Sequence, residues 1–269
     1  MFKISTSTKS NALSVGFVSL LLLLLFPPTV YASDSVKKKP HVVFLINEDT
    51  LNYEAHKTIP VFAKRLSETQ NYRVTVLMGK GPNNAFQFPG LQMIEKADVV
   101  VLFSRRIALP PEQMQLFKNY LKNGGPLVAI RTGNHAFTTR GTIASGYVDW
   151  LGFVPEILGC GNYGYGPVEL GTDVSVVPEA SGHPILGDFK PAQYHSIGNI
   201  YKVTPLLDPQ TKVLLTGKAG DEIQPVAWTR MAGKSPVFYT TLGYPADFEV
   251  EQFNHLLIRA IQWAIGQKS

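Results

Sequence analysis

Three apolar runs constrain this chain more than anything else in it: HVVFLIN from His41, ADVVVLF from Ala97 and PLVAI from Pro126. Each is continuous rather than alternating, and each stops abruptly on polar residues. A strand that is apolar on both faces must be covered on both faces, which is the habit of parallel sheets flanked by helices. Helix-like segments stand between the runs. Residues 59–67 read as a helix, with Thr58 at its N-cap and Pro60 in its first turn. Residues 110–121 read as another. Pro110 and Pro111 open it, Met114, Phe117, Tyr120 and Leu121 form its apolar stripe, and Gly124-Gly125 ends it. Residues 73–77 add a strand. The alternation predicts an α/β fold: a flavodoxin-like, doubly wound, mostly parallel sheet with helices on both faces. Residues 141–191 are rich in Gly and Pro and read as an elaborated insertion with short strand-like pieces such as 174–177. The regular pattern then returns, with strand-like 212–216, 225–229 and 236–242 and a closing helix over 248–265.

The start of the chain does not belong to that pattern. Lys3 and Lys9 precede an apolar stretch over 13–26, Pro27-Pro28 break it, and Val30-Tyr31-Ala32 offers a small-residue cleavage site. That order is a secretory signal peptide cut after Ala32. Its apolar run is shorter than the ~20 residues of a spanning helix, so no stable membrane anchor is expected after cleavage. The expected organisation is a signal peptide over 1–32, a polar tail over 33–40 and a single α/β domain over 41–269, secreted or periplasmic. The formal net charge of +5 falls to +3 without Lys3 and Lys9, and no basic face argues for nucleic acid. Cys160 is the one cysteine, so no disulfide can form within the chain. It reads as a small buried residue beside a turn.

In an open parallel sheet, ligands bind beyond the carboxyl ends of the strands. Here those ends carry Asn47-Glu48-Asp49, Ser104-Arg105-Arg106, Arg131-Thr132-Gly133-Asn134-His135 and Gly243-Tyr244-Pro245-Ala246-Asp247. His135 and His195 are the candidate acid/bases, because imidazole titrates nearest neutral pH. Arg131 is the candidate for holding a carbonyl or hydroxyl oxygen, or negative charge that develops on it. Glu48 would orient Arg131 or serve as a second base. The competing reading is an Arg131–Glu48 ion pair that only holds two strand ends in register. Arg105, Thr132, Asn134 and Tyr244 share the rim as candidate substrate contacts. Tyr163 and Tyr165, in LGCGNYGYG, and Tyr194, in Tyr194-His195-Ser196, add rings that are apolar in body and polar at the tip, as a sugar face requires. A metal site would have to use His135, His195 and Glu48; no ligand spacing supports it, and no cofactor is evident.

Five pieces together resemble the ThuA-like (trehalose-utilisation-like) family, which has the class I glutamine amidotransferase-like fold. They are ADVVVLF, LPPEQMQLFKNYLKNGGPLVAIRT, HPILGDF, PVAWTR…GKSPVFYTTLGYPADF and FNHLLIRAIQWA, in that order across nearly the whole mature chain. In amidotransferases of this fold, the turn after PLVAI is an elbow that presents a nucleophilic cysteine. This chain has Arg131 there, which stays protonated at physiological pH, so glutamine hydrolysis by the usual route is excluded. Arg131 also departs from the histidine that many family members carry. The resemblance implies a role in carbohydrate utilisation, with a small-molecule carbohydrate as partner. Two forms of that role follow. One is an enzyme that binds or processes a sugar or keto-sugar by hydrolysis or isomerisation. The other is a non-catalytic sugar-binding or scaffold protein that lacks the nucleophile.

Overall fold

The computed structural model describes residues 5–9, 39–187 and 189–266. The expected signal peptide and polar tail lie outside the described residues, apart from 5–9 and 39–40. The chain divides into an N-terminal unit, Met1–Lys37, and a second unit, Lys38–Ser269. In the first, residues 5–9 carry no regular secondary structure; every helix and strand described lies in the second. No helix among the described residues is long and apolar enough to cross a membrane.

The apolar runs become the middle of a sheet. Strands β1 (His41–Ile46), β2 (Arg73–Met78), β3 (Val99–Phe103) and β4 (Leu127–Ile130) form its first part. β1 pairs in parallel with β2 and β3, and β3 with β4. Helix α1 (Ala55–Gln70) follows β1, and α2 (Pro111–Lys122) follows β3. The continuous burial has a direct reason in packing. Val42, Phe44 and Ile46 join one core with Ile59, Phe62 and Leu66 of α1. Val43 and Leu45 join a second core with Met114, Phe117 and Leu121 of α2. Truncating one of these buried rings to alanine, Phe44 or Phe117, costs about 3–5 kcal/mol.

The rest of the sheet differs from the expectation. Its strands are β5 (Thr172–Val176), β6 (Gln193–Ser196), β7 (Lys212–Ala219), β8 (Glu222–Ala232) and β9 (Ser235–Thr240). The order across the sheet is β2-β1-β3-β4-β9-β8-β7-β5-β6. β9 pairs in parallel with β4, but β8, β7, β5 and β6 continue outward as antiparallel neighbours. The sheet is therefore mixed rather than mostly parallel. The cause is loop length. Gly220-Asp221 joins β7 to β8 and Gly233-Lys234 joins β8 to β9, each with its glycine at positive φ. Two-residue turns of that kind make hairpins, whereas a parallel connection needs a dozen residues or more. The segment read as an insertion supplies β5, and β6 follows at the edge. The closing helix α3 (Glu251–Gly266) packs Phe253, Leu257 and Ile261 into the same core as α1.

Candidate functional site

A cavity of about 560 Å³ opens where the loops after β1, β3, β4 and β9 meet. Four tyrosines, Tyr53, Tyr165, Tyr201 and Tyr244, supply its rings, and Arg105, His135 and Arg140 its polar edge. Tyr53 and Glu54, in the loop after β1, both have φ of 50°, in the left-handed region. Two consecutive residues with side chains held there store conformational strain, which is characteristic of positions fixed for function.

Arg131 stands at the elbow, with φ 42°. Its side chain turns inward and is 1% exposed. Nη1 donates to the Thr241 carbonyl at 2.8 Å and Nη2 to Asn199 Oδ1 at 2.8 Å. The guanidinium carbon lies 4.0 Å from the centre of the Tyr53 ring, 4.7 Å from Tyr201 and 5.7 Å from Tyr244. A cation among ring faces is attracted by their quadrupoles, and more strongly once water is excluded. Burial by itself lowers the pKa of Arg131, but Tyr201, Tyr53 and Asp247 outweigh it and hold the group fully charged. Room for this packing comes from Gly198, where a Cβ would stand 2.8 Å from Tyr244 Cβ and 3.3 Å from Arg131 Nη1. Glu48 is exposed and makes no ion pair with Arg131. Arg131 is thus a post behind the cavity wall. It fixes three of the four rings and does not itself line the cavity.

His135 ends the 3-10 turn that begins at Arg131 and is 3% exposed. Its Nδ1 lies 2.5 Å from Asn134 Oδ1. Asn162 Nδ2 lies 3.4 Å from the same ring nitrogen, so Nδ1 meets an amide oxygen on one side and an amide nitrogen on the other. Burial, followed by the charges of Arg106, Arg105, Arg140 and Arg131, pushes its pKa down to about 3. At neutral pH the imidazole is therefore uncharged, with the guanidinium groups of Arg106, Arg105, Arg140 and Arg131 acting on it. Arg105 in turn is fixed by Asp49, with Nη1 to Oδ2 at 2.9 Å, both side chains being largely buried.

A sequence profile for the family described as ThuA, trehalose utilisation, matches residues 42–264. The chain belongs to the ThuA family. Solved structures agree at the level of fold. A ThuA-like protein from Bacteroides uniformis is 16% identical, with 87% of this chain and 95% of that one covered and a TM-score of 0.64. One from Parabacteroides merdae is 14% identical, covering 86% and 91%, with a TM-score of 0.61. A cytoplasmic protein of Salmonella typhimurium is 12% identical, covering 83% and 98%, with a TM-score of 0.54. No curated protein matches by sequence.

Within this ThuA chain, four residues singled out from sequence line the cavity: Arg105, His135, Tyr165 and Tyr244. Others are placed elsewhere. Thr132 is sealed, with its hydroxyl 2.5 Å from Asn52 Oδ1. Asn134 and Tyr163 line a second cavity on the far side of His135. Tyr194 packs against Phe189, and His195 is exposed on the edge strand β6 with Nδ1 2.7 Å from Asp173 Oδ1. His135, His195 and Glu48 are therefore not gathered, and no group of three or more His, Cys, Asp or Glu among the described residues could hold a metal ion. Cys160 is fully buried, and burial pushes its thiol up to about 12, so it offers no thiolate.

Several contributors were given no role from sequence, although Asp247 stood among the strand-end residues. Tyr53 and Tyr201 form cavity walls and share a hydrogen bond, Tyr201 Oη to Tyr53 Oη at 3.2 Å. Asp247 is buried and accepts from the Gly243 and Tyr244 amides, each at 2.8 Å, which fixes the loop that presents Tyr244. Asn52 is fully buried and donates to the Asn47 and Phe103 carbonyls, tying the ends of β1 and β3 together. A buried asparagine in a polar NED-T-LN run was the available signal for Asn52; nothing local to Tyr201 marked it.

Proposed function

We propose that this ThuA chain is an exported protein of carbohydrate utilisation that holds a sugar or keto-sugar in the tyrosine-walled cavity and moves a proton at His135 Nε2. The observation that carries the reading is the state of His135: uncharged, with Nδ1 against Asn134 Oδ1, at a cavity edged by Arg105 and Arg140. Tyrosine faces stack on the C–H faces of a pyranose, and their hydroxyls and the arginines meet its oxygens. The geometry fits isomerisation better than hydrolysis. Glycosidases need a pair of carboxylates across the bond. The carboxylate at this cavity, Glu54, is held by Lys57 at 2.7 Å.

In the proposed step, Nε2 takes the proton from the carbon beside the carbonyl. The C–H pair becomes the enolate double bond, and the carbonyl π pair moves to oxygen, where Arg105 and Arg140 face it. The hydroxyl proton on the deprotonated carbon then passes to the enolate oxygen, and Nε2 returns its proton to the former carbonyl carbon as the new carbonyl forms, which completes the isomerisation. The same guanidiniums that depress the basicity of His135 in the empty cavity are partly neutralised once the enolate forms. Stabilisation therefore grows along the reaction, as catalysis requires.

The test is proton exchange. Purified protein is incubated with a panel of keto-sugars in D2O and followed by proton NMR. Deuterium uptake at the carbon beside the carbonyl, abolished in His135→Gln, is the expected result. Binding without exchange across the panel would reject the proton-transfer step and favour the second reading, a sugar-binding protein. The observation on that side is that Arg131, at the nucleophile position, is sealed away from the cavity.

A further inference from the structure

The polar edge of the tyrosine-walled cavity carries more positive charge than the protein neutralises. Arg105 and Arg140 line it, and Arg106 stands against Tyr165 of its wall. Arg105 has a carboxylate partner, Asp49. Arg106 Nη1 donates to a neutral group, the Thr138 carbonyl, at 3.1 Å. Asp149, the next carboxylate along the chain after Arg140, accepts from the Thr139 hydroxyl with both oxygens. Glu54, which lines the same cavity, is matched by Lys57. Arg106 and Arg140 are thus left without a carboxylate partner among the described residues. They also act on each other: burial and then the charge of Arg140 lower the pKa of Arg106. Like charges gathered at a cleft are costly while it stands empty, and they focus a field that draws in an anion.

The enolate of the proposed step supplies negative charge only in passing. Before it forms, His135 must act as a base while guanidinium charge and burial hold it at about 3. A base works best with its pKa near the working pH. An anion carried by the ligand throughout would cancel part of the guanidinium field and lift His135 towards neutrality, with burial, the larger cause, still opposing. We propose that the ligand of this cavity is an acidic keto-sugar, whose carbonyl faces His135 and whose fixed anionic group, a carboxylate or phosphate, is held by Arg140 at the exposed edge. This rests on the sugar reading of the cavity and adds the charge that the sugar carries. Arg105, fixed by Asp49, stays with the carbonyl oxygen, and the five donors of Arg140 suffice for that oxygen and for the anion.

The experiment is calorimetric titration of the purified protein with D-fructose and D-tagatose. Each is set beside the two counterparts in which its terminal hydroxymethyl group is oxidised to a carboxylate or phosphorylated. At low salt, wild type is expected to bind an acidic ketose at least tenfold more tightly than its neutral parent, and the acid that shows the gain tells carboxylate from phosphate. The gain should shrink as salt is raised, because the charges that hold the anion are screened. Arg140→Gln, at an exposed position, should bring the ratio of acidic to neutral affinity close to one, and Arg140→Lys should restore part of it. NMR of the His135 ring should show its pKa rising when the acid binds and not when the neutral ketose does. Equal affinity for acidic and neutral ketoses in wild type, or a gain that survives both salt and Arg140→Gln, overturns the acidic ligand while leaving the sugar cavity standing. Failure of every ketose to bind overturns the sugar reading and this inference with it.

Discussion

Replacing Arg131 with methionine isolates what the buried guanidinium does. Methionine fills similar space but donates nothing. The Thr241 carbonyl and Asn199 Oδ1, each 2.8 Å from the guanidinium, would lose their donors. An orphaned buried acceptor costs about 1–3 kcal/mol. Loss of the cation from the faces of Tyr53 and Tyr201 adds about 0.5–2 kcal/mol in a desolvated setting. Arg131 Nε already lacks a partner, so its removal costs nothing. For the two acceptors and the cation together the expected destabilisation is about 2.5–8 kcal/mol, which for a domain of this size corresponds to a fall in Tm of about 5–30 °C. Arg131→Lys keeps the charge but cannot span both acceptors, and should fall between wild type and Arg131→Met. Glu48→Gln should leave Tm within about 1–2 °C, because an exposed change away from any partner is worth under ~0.5 kcal/mol. Thermal and urea unfolding followed by circular dichroism measure all three. A loss below about 1 kcal/mol in Arg131→Met, or a fall in Glu48→Gln as large as in Arg131→Met, would refute the reasoning, since either would mean that the wall does not depend on this cation.

The unfolded chain takes a proton on His135 near pH 6.5, while burial and four arginines hold the folded ring at about 3. The contribution to stability is therefore complete above about pH 6.5 and lost as pH falls from there towards 3, with a slope of about 1.4 kcal/mol per pH unit that His135→Gln should remove. Asp247→Asn keeps an acceptor but loses charge-assisted bonds to the Gly243 and Tyr244 amides; chemical denaturation should show a loss of about 1–3 kcal/mol, and sugar affinity should fall with it. Tyr201→Phe should leave Tm near wild type while weakening sugar binding several-fold in calorimetry, since the hydroxyl meets Tyr53 Oη at 3.2 Å and the ring otherwise remains.

The elements most legible in the sequence were those whose burial is complete. β1, β3 and β4 announce themselves as unbroken apolar runs because helices cover both faces. The antiparallel half is not legible from apolar content, because its signals lie in the connectors Gly220-Asp221 and Gly233-Lys234, which are hairpin turns. The same split governs the site. His135, Arg105 and Tyr244 follow strands of the parallel block, and the carboxyl-end rule places them together. His195 and Tyr194 belong to an edge strand reached only after that block ends, so the rule did not reach them. Arg131 was found for its position and misassigned in its direction. A sequence places a residue at an elbow, but the left-handed φ and the missing Cβ of Gly198 turn its side chain inward.

β9 has a consequence for the order in which the molecule can be made. It sits in the middle of the sheet, yet its register partner Val237 for Leu127 of β4 is synthesised 110 residues later. At translation rates of about 5–20 residues per second, β4 waits on the order of 5–20 s with one ladder of amides and carbonyls unpaired. The four outer strands join the rest of the sheet only through β9. Closure of the sheet therefore waits for β9, and a nascent chain stopped anywhere before Ser235 leaves β4 with an open apolar edge. Such long-range pairing slows folding, and it makes the C-terminal strand the latch that decides when the chain can no longer be threaded as an extended polymer.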